Sequence, residues 1–379
     1  MRASSSQACA ECRRVNRVVV ARLKTACHLA RVSKRNFTID DVAEAAGVAR
    51  VTVSRVLNNE QNVRPETREK VRRAVQALGY SVNPQARALA SGINRTILLI
   101  HSHDPDREPN SYYHSGLELG ALRACSSLGY DLITRAVDPA NANRARLLSS
   151  FIERERPAGI VLPPPLSDDV QLLEDVKSAG VRVVAVSPGE HARSVVAGAG
   201  IDETAGGRAM GEYLLSLGHR RIGFVKGPAD HLAAALRYDG FVDALRRFGI
   251  EEEPWSASGD FTFKSGVEAA ERLLQQTGQV TALACANDDM AAGAMLAIHR
   301  AHLDIPGDIS VMGFDDTPMS DIIWPPLTTI RQPIKDIAER VVHILVDSGL
   351  DEVAPYETLP HELIVRESTA PPKSHRHVA

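Results

Sequence analysis

Six side chains set close together, Arg50, Val51, Thr52, Ser54, Arg55 and Asn58, bring two guanidiniums, two hydroxyls, an amide and one apolar group to a single short stretch. Guanidiniums and hydroxyls satisfy phosphate oxygens, and Arg and Asn also bond base edges in a groove, so these types fit contact with duplex DNA. Their spacing asks for a helix from Ala49 or Arg50 to Leu57 with Val53, Val56 and Leu57 on its inner face. A preceding helix starts at Thr38, whose hydroxyl caps free N–H groups while Asp41 reaches back from three residues on. Val42, Ala45 and Ala46 form its apolar side, and Gly47 supplies the positive φ of a tight turn between the two. An ordinary pair of polar surface helices would show the same pattern, so the flanking segments carry the decision.

A third amphipathic helix is predicted from Pro65 to Leu78, with Val71, Ala74, Val75 and Leu78 placed to cover the first two. Three helices make a minimal headpiece. After it, Asn83 to Gly92 offers an Asn cap, a first-turn Pro, about two helical turns and a terminating Gly, with Leu89 the one large apolar residue. So short a helix needs a partner surface to persist, which suits a switchable hinge. Charge agrees in part: residues 1–92 hold 17 Lys and Arg against 7 Asp and Glu in a chain of net charge −3. Most of that excess lies in residues 1–36, so local placement on the headpiece matters more than its total.

These segments, together with Gly218-His219-Arg220-Arg221-Ile222-Gly223-Phe224, Ala286-Asn287-Asp288-Asp289-Met290, Gly313-Phe314-Asp315-Asp316 and Pro325-Pro326-Leu327-Thr328-Thr329-Ile330, resemble bacterial transcription regulators of the LacI/GalR family, from Phe37 to about Val365. By that resemblance Arg50 and Val51 match the pair that reads operator bases, and Arg55 a further major-groove residue. Thr38, Thr52, Ser54 and Asn58 match positions that meet phosphates or neighbouring base edges. The hinge adds Asn83, Leu89 and Ala90, with Leu89 wedging into the minor groove. Ala49 and Arg64 depart from the pattern, standing where Ser is a frequent helix cap. Both caps are expected to be weaker, and Arg64 offers a phosphate contact instead.

Residues 1–36 lie outside the resemblance. Cys9-x-x-Cys12 with Cys27-His28 is a weak zinc signal in an Arg-rich stretch without turn residues, so a disordered extension is expected and no metal. Five cysteines without a paired framework fit a reducing compartment, and no apolar run reaches membrane length. A cytoplasmic, nucleoid-associated location follows as an expectation.

Beyond Gly92, apolar strand-like runs alternate with helical segments in a βαβ rhythm that restarts after Ile201-Asp202. Two α/β lobes facing each other leave a cleft where the strand ends point. The resemblance makes this a two-lobed type I periplasmic-binding-protein-like core of parallel sheets flanked by helices. It implies three crossings between lobes, near residues 196–202, 313–318 and 328–332, with residues 362–365 returning to the second lobe. The division expected is 1–36 extension, 37–82 all-α headpiece, 83–92 hinge, 93–366 core and 367–379 flexible tail.

In the cleft, Asp288 follows a strand where a carboxylate accepts two sugar hydroxyls at once. By resemblance Arg237 matches an arginine that donates to the ligand and Phe261 an aromatic that stacks on it. Asp316 at a crossing and Tyr113 from the first lobe complete the candidates. Plainer roles stay open: Asp288 as a helix cap, Asp316 as a cap or ion-pair partner, Phe261 as core. His101, His103 and His114, near the first strand end, could line the cleft or be solvated. No dinucleotide loop, phosphate loop or nucleophile elbow is present, so neither cofactor nor enzymatic activity is expected.

The resulting expectation is a homodimeric repressor, held to double-stranded operator DNA and controlled by a sugar or related metabolite between its lobes. No heptad tail follows Val365, which favours a dimer over a tetramer. A regulator whose ligand tightens DNA binding is the alternative, and a solute-binding protein a more distant one.

Overall fold

The computed structural model describes residues 37–57, 62–78, 80, 94–103, 111–277, 280–347 and 356–373. Asn58, the hinge with Asn83, Leu89 and Ala90, and residues 1–36 lie outside the described residues. Two compact units divide the chain, Met1–Gly92 and Ile93–Ala379.

The first unit holds α1 (Ile39–Ala46), α2 (Arg50–Leu57) and α3 (Pro65–Leu78). Thr38 and Asp41 form a complete capping box: the Thr38 N–H and hydroxyl both donate to Asp41 Oδ2 at 2.7 Å, and the Asp41 N–H donates to the Thr38 hydroxyl at 3.3 Å. Gly47 ends α1 in the left-handed region, φ 64°. The core of this unit is small: Val42, Ala43, Val53, Val56, Val71 and Ala74. Ala45, assigned above to the apolar side, is exposed, and Ala43 is buried in its place. Packing through Ile39, Val42, Ala43 and Ala46 turns position 45 away.

The second unit is a pair of α/β lobes. Lobe 1 runs β1 (Thr96–Ser102), α4 (Ser111–Leu128), β2 (Asp131–Val137), α5 (Arg144–Glu155), β3 (Gly159–Leu162), a 3₁₀ turn (Leu166–Asp168), α6 (Val170–Ser178), β4 (Arg182–Val186), α7 (Glu190–Arg193) and β5 (Ala197–Gly200). Lobe 2 runs α8 (Glu203–Ser216), β6 (Ile222–Lys226), α9 (Leu232–Arg247), β7 (Trp255–Ser258), α10 (Phe263–Thr277), β8 (Ala282–Cys285), α11 (Asp288–Arg300), β9 (Ser310–Asp315), α12 (Met319–Ile322) and β10 (Thr328–Arg331). The chain then returns to lobe 1 for α13 (Ile334–Asp347) and β11 (Glu357–Thr358), and ends with β12 (Glu362–Ile364) in lobe 2. Strand order is β11-β5-β4-β3-β1-β2 in one sheet and β12-β10-β9-β8-β6-β7 in the other. All pairings are parallel except β10 with β12. Strands such as Gly159–Leu162 and Ala282–Cys285 are wholly buried, as sheets covered on both faces require.

This topology corrects the expected crossings. The chain passes between lobes after β5, after β10 and between β11 and β12; it does not cross near residues 313–318, because β9 and β10 are parallel neighbours in one sheet. Helix α13 was not anticipated, although its stripe Ile334, Ile337, Ala338, Val341, Val342, Leu345 has helical spacing and is buried. It packs on α4 so closely that a Cβ at Gly120 would stand 2.1 Å from the Lys335 carbonyl oxygen. Residues 367–373, expected to be flexible, are fastened to lobe 2: the buried Ser368 hydroxyl donates to Val311 O and accepts from Thr328 N, and Ala370 exchanges bonds with Ser310.

Candidate functional site

Every parallel strand that ends between the lobes delivers residues to one cavity of about 300 Å³. Ser102 and His103 follow β1, Asp138 to Ala140 follow β2, and Pro164 and Pro165 follow β3. From lobe 2 come Pro228 to His231 after β6, Asp260 to Thr262 after β7, Asn287 after β8, Asp315 at the end of β9 and Gln332 after β10. Helices add Tyr113, His114, Glu203, Ala233 and Arg237. Convergence at the carboxyl ends of parallel strands is where open α/β sheets bind ligands.

Arg237 occupies the centre of the polar chemistry and is 4% exposed. Its Nε and Nη2 donate to Glu203 Oε2 at 3.2 and 2.7 Å, Nη1 donates to the Ala286 carbonyl, and the guanidinium lies 3.4 Å over the Phe314 ring centroid. The two helices that carry this pair touch through glycines: a Cβ at Gly207 would fall 1.8 Å from Arg237 O, and one at Gly240 2.0 Å from Thr204 O. Beside the pair, Asp315 accepts from Gln332 Nε2, and burial pushes its carboxyl up to about 7 against the pull of Arg237. Burial, then Glu203 and Asp315, push the Tyr113 hydroxyl well above its ordinary range.

Phe261 faces the cavity with φ 67° and packs edge-on against His231, ring centroids 4.9 Å apart. His231 caps α9 through its Nδ1, and burial, with Arg237 beside it, depresses its pKa to about 3, so it is a neutral imidazole. On the lobe 1 side His101, His103 and His114 cluster with centroids 5.3 to 6.2 Å apart, and His103 and His114 line the cavity. Burial lowers the His101 pKa despite Glu118 at 3.5 Å.

Two of the anticipated cleft residues do not reach the cavity. Asp288 is fully buried beneath it: Oδ2 accepts from Thr317 N at 2.7 Å and Oδ1 from the Thr329 hydroxyl at 2.6 Å, which leaves no face toward a ligand. Its neighbour Asn287 lines the cavity instead, its side chain capping α11 at Met290 N and donating to Phe261 O. Asp316 is tied to Arg331 at 2.6 Å and Arg366 at 2.7 Å, and also accepts from the Ser320 hydroxyl. Its plainer role holds, and Asp315 takes the cavity position. Tyr113, Arg237 and Phe261 are brought together as anticipated, while Glu203, Asp315, His231 and Gln332 were not singled out.

On the headpiece, Val51 is 59% exposed, Arg50 extends from the start of α2 with its Nη1 3.5 Å from Asp40, and Arg55 is exposed one turn on. Thr52 and Ser54 are half-buried flankers. The Thr38 hydroxyl is engaged in the capping box and so holds the start of α1.

A helix pair of this geometry, in one chain with a two-lobed core around a polar cavity, defines a ligand-responsive DNA-binding regulator. Comparison with known proteins agrees: residues 38–83 match the bacterial regulatory proteins of the lacI family, and residues 212–369 a periplasmic binding protein-like domain. The transcriptional regulator CelR of Thermobifida fusca is 33% identical over 339 residues, 88% of this chain and 99% of that protein. The structure of a CelR–cellobiose complex matches with TM-score 0.66 at 31% identity, covering 88% of this chain and 99% of the other. A lac repressor dimer bound to operator and the anti-inducer ONPF matches with TM-score 0.77 at 30% identity, covering 89% and 100%. The chain belongs to the lacI family of bacterial regulatory proteins, and it is a DNA-binding transcriptional regulator.

Proposed function

We propose that this regulator is a homodimeric repressor that holds a pseudo-palindromic operator and is released or retained by a sugar bound between its lobes. The observation that carries the reading is the cavity itself, where Arg237, Glu203, Asp315, Asn287 and Gln332 present donors and acceptors beside the Phe261 ring. Hydroxyls bond both kinds of group, and an aromatic face suits the apolar side of a pyranose or furanose. The cellobiose and ONPF of the related structures are compounds of this class. Arg50, Val51 and Arg55 read the major groove, Thr38, Thr52, Ser54 and Asn58 support them, and Asn83, Leu89 and Ala90 act at the centre of the site. Lobe closure moves the start of lobe 1, to which the hinge is joined in sequence, and so transmits the signal.

Ile322 and Trp324 are 81% and 85% exposed and neighbour Pro325 and Pro326, an apolar surface of the kind a second copy covers. The protein acts as a binding switch rather than an enzyme, in the cytoplasm on nucleoid DNA.

Selection of random duplexes with the purified full chain tests this reading, with a gel shift repeated in cellobiose, ribose and lactose. A two-fold symmetric sequence should be enriched, and one sugar should change its affinity by a coupling of ~1 to 3 kcal/mol. Arg50→Ala should cost ~1 to 3 kcal/mol of operator affinity and relax the preferred base at its position. No enrichment over random competitor would sink the proposal.

A further inference from the structure

Adjacent carboxylates in the Gly313-Phe314-Asp315-Asp316 turn face different surroundings, and Asp315 is the one with access to the cavity. It is 5% exposed and sits at φ 114°, a backbone region that side chains other than glycine rarely occupy. Strain of this kind persists where the surroundings enforce it, and it is concentrated at functional sites. Asp315 Oδ1 is held by Gln332, while Oδ2 takes no hydrogen bond among the described residues.

Around it the described cavity wall carries five carboxylates, Asp138, Glu203, Asp230, Asp260 and Asp315, against a single guanidinium, that of Arg237, and no lysine. That guanidinium is already neutralised by Glu203 and covered on one face by Phe314. His231 is held neutral by burial. An anionic ligand group entering here would find no uncommitted cation and would have to displace Glu203 from Arg237 in a poorly solvated site, next to Asp315. Like charges brought together in such a place cost several kcal/mol. An uncharged hydroxyl meets none of these penalties. It donates to a carboxylate oxygen and accepts from an N–H of Arg237 that Glu203 and Ala286 leave over.

We propose that Asp315, fixed beside Glu203 and Arg237, is the specificity-determining residue of the cavity, and that it restricts the effector to an uncharged, hydroxyl-bearing molecule, turning away phosphorylated and carboxylated counterparts. The inference rests on the sugar reading given above and narrows it. Phosphate-bearing sugars, which a cell also accumulates, are thereby ignored by the switch.

Matched pairs test it: thermal shifts of the full-chain protein with glucose, ribose and cellobiose against glucose 6-phosphate, ribose 5-phosphate and cellobionate. At least one neutral compound should raise the melting temperature, with its anionic partner needing at least ~10-fold higher concentration for the same shift. In Asp315→Asn that gap should narrow. An anionic partner acting at equal or lower concentration overturns the inference and leaves the sugar reading standing. A gap that persists unchanged in Asp315→Asn removes Asp315 from the role. Shifts from none of the six compounds overturn the sugar reading and this inference together. Should Asp315→Asn not fold, the wild-type comparison still decides between neutral and charged effectors.

Discussion

The headpiece and the cavity use the same side-chain type, arginine, in opposite ways. Arg50 stands in solvent with two-thirds of its side chain exposed and only a loose 3.5 Å approach to Asp40, so its charge is available to a polyanion and screened by salt. Arg237 is buried, bonded to Glu203 and Ala286, and backed by Phe314, so its charge has been spent on holding α8 to α9 and on fixing donor directions. The contrast extends to the packing beneath each. Six Val and Ala side chains make up the fully buried core of the headpiece, whereas the lobes bury Phe224, Phe241, Phe314 and many Leu and Ile. A surface that must meet a large partner keeps its groups free and its core small; a site that must discriminate small molecules locks its groups into the scaffold.

The largest test of this contrast is Arg237→Ala, which strands the Glu203 carboxylate in a site where it is 7% exposed. Loss of one partner of a buried pair should cost ~3 to 5 kcal/mol of core stability in chemical denaturation. A loss below ~1 kcal/mol would mean the pair is not locked and the contrast fails.

Asp315 gives the next test, through pH. Its carboxyl is raised to about 7 in the folded protein from an ordinary 3.8, so the folded state retains a proton that the unfolded chain gives up. The associated stability is fully present below about pH 4 and is lost as pH rises through about 7. Wild type should therefore lose ground to Asp315→Asn between those limits when melting temperatures are compared, and parallel curves would show that the carboxyl titrates normally.

On the headpiece, Thr38→Ala removes one half of the capping box and should cost ~1 kcal/mol, read as faster amide exchange in residues 39–41 of the full chain. The smallest effect is expected from Asp40→Asn. Its exposed approach to Arg50 contributes less than ~1 kcal/mol, so folding should be almost unchanged while operator binding tightens slightly at low salt. A large stability change here would show that Arg50 is not the free group the comparison requires.

Legibility in the sequence followed the same division. Thr38, Asp41, Gly47 and the stripes of α2 and α3 are local features, and the structure has them where periodicity and capping chemistry put them. Strand and helix alternation likewise located the two sheets. In the cavity, Tyr113, Arg237 and Phe261 were identified through resemblance, but both aspartate assignments fell one residue away from the cavity-lining residue, at Asp288 for Asn287 and at Asp316 for Asp315. The reason is geometric: a strand end is recognisable from its pattern, but which of two adjacent polar residues turns inward depends on a backbone angle such as the φ of 114° at Asp315. The crossings were harder still, since the pairing of β9 with β10 and of β11 with β5 is a long-range outcome. Helix α13 was readable from its own stripe and was simply passed over.

One consequence follows from the bare backbone contacts of Gly207 and Gly240 between α8 and α9, where not even a methyl group has room. Two rods pressed together without slack cannot slide to suit a differently shaped guest. Any drift of this receptor toward new guests has to be accommodated in the turns after β6 and β7, while the floor carrying Glu203 and Arg237 behaves as a fixed gauge against which each newcomer is measured.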